Sequence, residues 1–513
     1  MNSGPLKEEA VVVEDKHDRW FETNHLRNNL KSRSVKGGFS TIGAQGVSFV
    51  MNISSTIIMA RLLAPQDFGL VAMVTAVTGF VSIFKDLGLS QAVIQREHLD
   101  QKQVSALFWI NVLISLGIAL IVTLLAPVLV NFYSEERLFL ITLAFSGSIL
   151  ISGLSLQHNA LMKRQMEFQR LSLIQIGSTA ASLLTGVYMA WAGYGYWAIV
   201  ATMVLPPFFT TLALWFVCDW RPNLSLKTEK VGSYLKFGAG ITGFDMINYF
   251  SRNMDNVLIG KFVGSTALGL YTKAYQLLLL PITQLRNPLF SVALPALSTL
   301  QNEVEKYKAF YKRFLFTLAF FSMPLVAYMA VFSDELVLVV LGDQWIKASS
   351  IFQILAITAF IQPVLGTTGL VLISTGKVKR YFTWGVINAV AVVTAFVIGV
   401  QWGVEGVAIA YAIVNYILIL PTLYFSLYRS PIPVPLFFRE IAFPALFSIL
   451  SGVAMLTFRN YFGHFPDIIL CASGFLIGAL LYVGLWFTSK SSRNRAKQVL
   501  EIGAVLTDKF RRR

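Results

Sequence analysis

Cysteine, histidine and charge are all scarce in this chain. Its 513 residues include only two cysteines, Cys218 and Cys471, which are far apart and lie in or beside apolar stretches, so no disulfide framework or cysteine metal motif follows. The five histidines, His17, His25, His98, His158 and His464, are scattered over tail and loops, which excludes a histidine metal cluster or a catalytic triad as the expected chemistry. A Walker A string is also missing, so the chain is not by itself an ATP-driven pump. Charged residues make up 13%, too few to solvate the surface of a soluble domain of this length. The first 36 residues lack the apolar run of a signal peptide. They carry seven Lys or Arg and six Asp or Glu, and read as a solvated extension with Trp20 and Phe21 touching lipid headgroups.

Apolar residues are abundant, at 55% of the chain, with a mean hydropathy of +0.63. At roughly 20 apolar residues per crossing, this sets a ceiling of about fourteen transmembrane helices. The apolar runs are residues 39–60, 68–83, 104–130, 138–157, 171–191, 196–217, 234–257, 266–284, 314–332, 348–374, 382–400, 403–426, 437–458 and 466–488. The expected fold class is therefore an all-α polytopic membrane protein of about 14 transmembrane helices. Prolines inside several runs, such as Pro206, Pro281 and Pro421, read as kinks, because neighbouring helices and water satisfy the freed carbonyls.

An even number of crossings puts both termini on one side. Sorting the loops by that parity gives 35 Lys or Arg on the terminal side and six on the other, with Lys273 inside a span. By the positive-inside rule the termini are cytoplasmic. The split also accounts for the net charge of +15 without nucleic acid as a partner.

The chain repeats itself at an offset of 200. Lys36, Gly38 and Gly43 recur as Lys236, Gly238 and Gly243, and Gly69-Leu70 recurs as Gly269-Leu270. Between these, residues 57–64 align without gaps on residues 257–264, so that Arg61 and Lys261 occupy matching positions. Six helices between the copies give the halves the same orientation, the parallel repeat of one transporter class. The expected organisation is a charged extension (1–36), an N-terminal lobe of helices 1–6 (37–232), a C-terminal lobe of helices 7–12 (233–430), helices 13–14 (431–489) and a basic tail (490–513). Two pseudo-symmetric lobes around a central cavity suit alternating access.

The stretch Ala60-Arg61-Leu62-Leu63-Ala64-Pro65-Gln66-Asp67-Phe68-Gly69-Leu70, followed by Asp86-Leu87-Gly88-Leu89-Ser90-Gln91-Ala92-Val93-Ile94-Gln95, resembles the Wzx-type polysaccharide and lipopolysaccharide flippases. These form the polysaccharide transporter branch of the multidrug, oligosaccharidyl-lipid and polysaccharide exporter superfamily. Residues 160–168, Leu294-Pro295-Ala296-Leu297-Ser298 and Leu341-Gly342-Asp343-Gln344-Trp345 extend the resemblance, which covers roughly residues 36–490 and is nearest to exporters of colanic-acid-like exopolysaccharide units. It implies a MATE/MurJ-like fold and a flippase, not an enzyme. The expected cargo is an undecaprenyl-pyrophosphate-linked oligosaccharide repeat unit, moved from the cytoplasmic to the periplasmic leaflet of the bacterial inner membrane for exopolysaccharide or O-antigen-type synthesis. The implied partners are that lipid-linked sugar, membrane lipids, and a polysaccharide polymerase or chain-length regulator.

Ionisable residues inside spans are costly and mark function by default. Arg252 and Lys273 are candidates for diphosphate or acidic sugar, Arg through bidentate contact and Lys as a point charge. Asp245 and Asp255 are candidates for ion coupling, with H+ or Na+ as coupling ion and no other cofactor expected. Arg61 and Lys261 at one membrane face, and Lys85 and Arg286 at the other, read as anchors or as substrate contacts. Asn52, with Ser54, Ser55 and Thr56, forms a polar patch suited to sugar hydroxyls or to helix packing. The string Gly238-Ala239-Gly240-Ile241-Thr242-Gly243 opens an apolar span without a preceding strand, and so is not a nucleotide fingerprint. The basic tail from Lys490 has apolar residues spaced as in an interfacial amphipathic helix. Two other functions compete: a polytopic polymerase or ligase of the same pathway, which would need a larger outside loop than residues 333–347, and a multidrug or cation antiporter.

Overall fold

A computed structural model describes residues 20–21, 30–82, 84, 89–95, 99–224, 249, 252–488, 490 and 492–495, and every regular element among them is helical. Lys85, Asp245, the 238–243 glycine string, most of the expected span 234–257 and most of the basic tail lie outside the described residues. Two compact units emerge, one of residues 1–58 and 77–246, the other of residues 59–76 and 247–513.

The helices of the first unit are the start of α1 (Leu30–Leu62), the end of α2 (Pro65–Ser82), α3 (Leu89–Gln95), α4 (Gln101–Tyr133), α5 (Leu138–Gly153), α6 (Leu156–Arg164), α7 (Phe168–Trp191) and α8 (Tyr196–Val217). Asp100 caps α4 by accepting from the Gln103 amide at 2.7 Å, relieving one of the donors a helix start leaves free. The αL residue Ser134 (φ 56) ends α4, its amide bonding Val130. Helix α7 packs along α8, and α4 along α5, where glycines set the approach: a Cβ on Gly186 would meet Thr202 Cγ2 at 2.3 Å.

Trp20 and Phe21 correct the expectation of a headgroup-touching tail. Both are buried in the core formed by Leu107, Phe108, Leu161 and Trp220. The Phe21 carbonyl accepts from the buried Arg164 guanidinium at 3.0 Å, which also donates to Val93 O at 3.1 Å. An arginine taken out of water must be given acceptors, and backbone carbonyls here supply them.

The second unit adds residues 252–262 (α9), α10 (Ser265–Thr299), α11 (Val304–Val331), α12 (Ser333–Val340), α13 (Ala348–Ala359), α14 (Gln362–Leu365), α15 (Thr367–Ser374), α16 (Val378–Gly399), α17 (Gly403–Ile417), α18 (Ile419–Leu427), α19 (Val434–Phe462) and α20 (Asp467–Trp486). Its core joins Leu297, Tyr307, Tyr311, Leu318, Val371 and Phe437. Tyr307 and Tyr311 stay buried because their hydroxyls pair with Ser374 at 2.7 Å and Thr367 at 2.8 Å.

Within this unit the offset of 200 is a spatial relation. A Cβ on Gly69 would lie 1.7 Å from the Ser265 carbonyl oxygen, and a Cβ on Gly269 would lie 1.8 Å from that of Pro65. Pro65 and Ser265 are themselves 200 apart, so α2 and α10 make a reciprocal contact in which i meets j and j's counterpart meets i's, the pattern of a two-fold interface. Only glycine lets the helices approach this closely.

Eleven helical stretches among the described residues are long and apolar enough to cross a membrane. One of them, Val378–Ile417, is two helices, since α16 and α17 pack along each other after a turn at Gly403 (φ 75). Pro65–Val81 is apolar but shorter. The all-α polytopic fold stands; a count of fourteen is not established by these residues.

Candidate functional site

Lone charges inside the second unit are held by polar neighbours on four helices. Asp255 on α9 is buried, its Oδ2 accepting from the Tyr271 hydroxyl at 2.8 Å and its Oδ1 from the Asn256 amide at 2.8 Å. One turn along α10, Tyr275 stacks on Tyr271 with ring centroids 6.1 Å apart. The Tyr275 hydroxyl adjoins that of Tyr411 on α17. Tyr411 in turn accepts from Gln362 Nε2 at 2.8 Å, and Gln362 also reaches Asn415 Oδ1 at 3.3 Å. This polar track of Asp255, Tyr271, Tyr275, Tyr411, Gln362 and Asn415 runs through spans that are otherwise apolar. In hydrocarbon such groups persist only when paired with each other or with a wet cavity.

Two guanidiniums border the track. Arg252, an exposed residue, stands ten residues before the end of α9, roughly 15 Å along the helix. Arg286 shares the α10 stripe of Tyr271, Tyr275 and Ile282, spaced four, seven and four apart. Arg252 and Arg286 lie near each other and near Tyr275. Arg286 lies over the Phe290 ring at 5.3 Å, and its Nε is buried with no hydrogen-bond partner among the described residues. No carboxylate among the described residues forms an ion pair with either arginine. Among the described residues, then, two cations without a carboxylate partner, one of them with an unbonded buried N–H, stand beside tyrosine hydroxyls; guanidiniums of this kind suit multidentate contact with an oxyanion.

Lys273 is placed apart from them. It lies roughly 140–160° around α10 from the Tyr275 and Arg286 stripe. Buried at 8% exposure, it sits with Nζ 4.2 Å from the Phe68 ring centroid and donates to Gln276 Oε1 at 3.1 Å. Phe68 meets Trp345 edge-on at 5.3 Å. Trp345 Nε1 donates to Ala60 O at 2.7 Å and Gln344 Nε2 to Leu63 O at 3.1 Å, so the Leu341-to-Trp345 motif caps the carbonyl end of α1. Arg61 is exposed and donates to Val339 O at 2.8 Å.

The other candidates are more dispersed. Lys261 is half-buried at the end of α9. Asn52 is exposed in the first unit and donates to Ser48 O of its own helix at 2.7 Å, while Ser55 is buried and Ser54 exposed. Lys85 and Asp245 are among the residues not described. The structure thus joins Arg252, Asp255 and Arg286 and separates Lys273. Sequence reasoning missed Tyr271, Tyr275, Gln362, Tyr411 and Asn415. The available signal was two tyrosines four residues apart, with Gln and Asn inside apolar spans.

A bundle of apolar helices carrying a buried polar track defines a polytopic membrane protein. Residues 58–350 match the family described as "Polysaccharide biosynthesis protein", and the chain belongs to that family. Among its relatives, it is 27% identical to the teichuronic acid biosynthesis protein TuaB of Bacillus subtilis (strain 168), over 73% of this chain and 78% of that one. It is 23% identical to the succinoglycan biosynthesis transport protein ExoT of Rhizobium meliloti (strain 1021), over 90% of this chain and 94% of that one. Its fold is similar to that of the lipid II flippase MurJ in an inward closed conformation, with a TM-score of 0.69 at 15% identity, covering 87% of this chain and 97% of that one. The resemblance to Wzx-type exporters is thereby upheld. The protein is a multi-pass membrane protein of polysaccharide biosynthesis.

Proposed function

We propose that this chain flips an undecaprenyl-pyrophosphate-linked oligosaccharide repeat unit from the cytoplasmic to the periplasmic leaflet of the bacterial inner membrane, by alternating access. A sugar hydroxyl taken unpaired into hydrocarbon costs roughly 2–7 kcal/mol, and a repeat unit carries many, so it crosses only inside a polar passage. The observation that carries the reading is the pair Arg252 and Arg286, neighbouring cations, the second on a candidate membrane span, with no carboxylate partner among the described residues. In this reading they hold the diphosphate, and Tyr275, Tyr411, Gln362 and Asn415 offer hydrogen bonds to sugar hydroxyls. Asp255, linked to Tyr271, is the proposed coupling carboxylate for H+ or Na+, with Asp245 as its companion. Lys273, over Phe68, contacts substrate from the other side of α10.

The 35 to six charge split supports cytoplasmic termini. A polymerase and a chain-length regulator are the proposed downstream partners. A polymerase or ligase function is less favoured, because the outside segment around residues 333–347 is a short helix and a tight loop whose Asp334 and Glu335 are engaged by Arg459.

The experiment is deletion of the gene in a strain without a second exporter, with lipid-linked repeat units traced by leaflet. They are expected to accumulate on the cytoplasmic side. Normal delivery to the periplasmic leaflet overturns the proposal.

A further inference from the structure

At one membrane end of the second unit, four spans have an end within reach of a single pocket. The pocket, about 410 Å³, is lined by Lys308 of α11, by Tyr424 and Tyr428 at the end of α18, and by Arg429, Ser430 and Pro431 of the loop leading to α19. Lys377 and Arg380, at the start of α16, close one side of the loop. Lys377 Nζ donates to the carbonyls of Tyr428 and Arg429, and Arg380 donates to those of Phe425 and Tyr428. Arg380 also lies over the Phe425 ring at 4.9 Å and the Tyr428 ring at 5.3 Å, and Arg429 over the Tyr428 ring at 5.2 Å.

Three cations therefore share one loop, and no carboxylate among the described residues pairs with any of them. Lys308, the fourth, has an exposed partner in Glu305 at 2.8 Å. Burial, and then repulsion by Arg380 and Arg429, push the Lys377 ammonium below the ordinary lysine value. Like charges are held together, and among the described residues backbone carbonyls rather than carboxylates accept from Lys377 and Arg380.

The backbone adds an independent observation. Ser430 N bonds Leu427 O at 3.0 Å, Tyr428 has φ −57 and ψ 126, and Arg429 has φ 54. Those are the features of a type II turn, whose third position calls for glycine because φ is positive there. An arginine occupies it instead, at a conformational penalty that glycine would not incur. The side chain thus stands at a position where the turn itself favours having none.

We propose that this pocket binds the phosphate headgroup of an anionic phospholipid of the surrounding bilayer, seated against Arg429 and Lys308, with Lys377 and Arg380, which hold the loop, adding their positive charge beside it. The position matches the ligand: Ala348–Ser374, Val378–Ile417, Val304–Val331 and Val434–Phe462 all have an end here, so the cations stand at headgroup level. Exposed Tyr424 and Tyr428 are the amphipathic rings favoured at that depth. Basic pockets between transmembrane helices bind anionic headgroups in this way. The site is distinct from Arg252 and Arg286 and does not depend on the transport reading.

The test is native mass spectrometry of the full chain, delipidated and titrated with phosphatidylglycerol or phosphatidylcholine. Wild type is expected to retain phosphatidylglycerol preferentially. Arg429→Gly should weaken that binding about fivefold, as expected for one cation near an anionic headgroup, while its melting temperature is unchanged or higher. Lys377→Gln with Arg380→Gln should weaken it further, and Lys306→Gln, an exposed cation paired with Glu303 at the start of the same helix as Lys308, should leave it unchanged. Glycerol phosphate, the headgroup without tails, should not displace the lipid at matched concentration. Equal retention of both lipids, displacement by glycerol phosphate, or an Arg429→Gly protein that binds as wild type does or melts lower, overturns the proposal.

Discussion

At the residue scale, the decisive distinction is between cations that have partners and cations that do not. Arg164 is buried but satisfied by two backbone carbonyls, and Arg459 by Asp334 at 2.6 Å and by Glu335. Arg286 keeps a buried Nε with no acceptor among the described residues. A hydrogen bond to a charged group is worth about 1.5–3 kcal/mol, so Arg286→Gln should weaken binding of a diphosphate headgroup roughly ten- to a hundredfold. Export, read as polymer yield at matched protein abundance, should fall accordingly. Arg286→Lys should give an intermediate value, because an ammonium keeps the charge but not the planar fork. Unchanged yield in Arg286→Gln removes this residue from the substrate path. The candidates were legible as charges in apolar runs. Which of them face one another was not, because Lys273 and Arg286 share a helix and differ only in the direction their side chains take.

At the element scale, the contact of α2 with α10 rests on two glycines. Alanine at either Gly69 or Gly269 puts a methyl group onto a backbone carbonyl, which cannot move aside as a side-chain end does. Each substitution should cost at least the roughly 1–3 kcal/mol of an overpacked contact, and the two should be similar because the positions are equivalent. Thermal melting in detergent checks this. A tolerant Gly69→Ala beside an intolerant Gly269→Ala contradicts the equivalence. The turn that carries Asp334 makes a second expectation. Burial acts to raise its carboxyl, yet hydrogen bonds from Ser349 and Arg459 and the Arg459 charge together hold it below the ordinary value. A carboxyl lowered in the folded state contributes stability above its unfolded value, about 3.9, and that stability is lost as pH falls through the folded value. Asp334→Asn should therefore melt lower at neutral pH, with the difference from wild type shrinking as pH falls below about 4. The reciprocal contact was half visible in advance: the repeat aligned Gly69 with Gly269, and the packing explains why both are glycine.

At the scale of the whole molecule, apolar runs and loop charge carry most of the architecture. If the charge split reports orientation, reporters fused to residue 1 and to residue 513 should both be active as cytoplasmic fusions and inactive as periplasmic ones. Opposite outcomes at the two ends imply an odd number of crossings. The organisation into units was less accessible from the sequence. Residues 59–76 precede the second copy of the repeat by nearly two hundred residues, yet they pack with residues 247–513. Likewise Trp20 and Phe21, in a stretch that reads as charged tail, are buried because Arg164 and the Trp220 cluster receive them.

What the sequence alone determined is what solvent dictates locally. Long apolar runs must be helices in a bilayer, positive charge must collect on one side, and a duplicated segment must fold twice in the same way. Tertiary structure decided which side chains became neighbours. That choice brought Arg252 to Arg286 and to the tyrosine track, turned Lys273 toward Phe68, and set Arg429 on a turn built for glycine. The physical reason is that a cation in an apolar run shows only that charge is present. Whether the charge is neutralised, or left to receive an anion, depends on groups that chain topology supplies from helices distant in sequence.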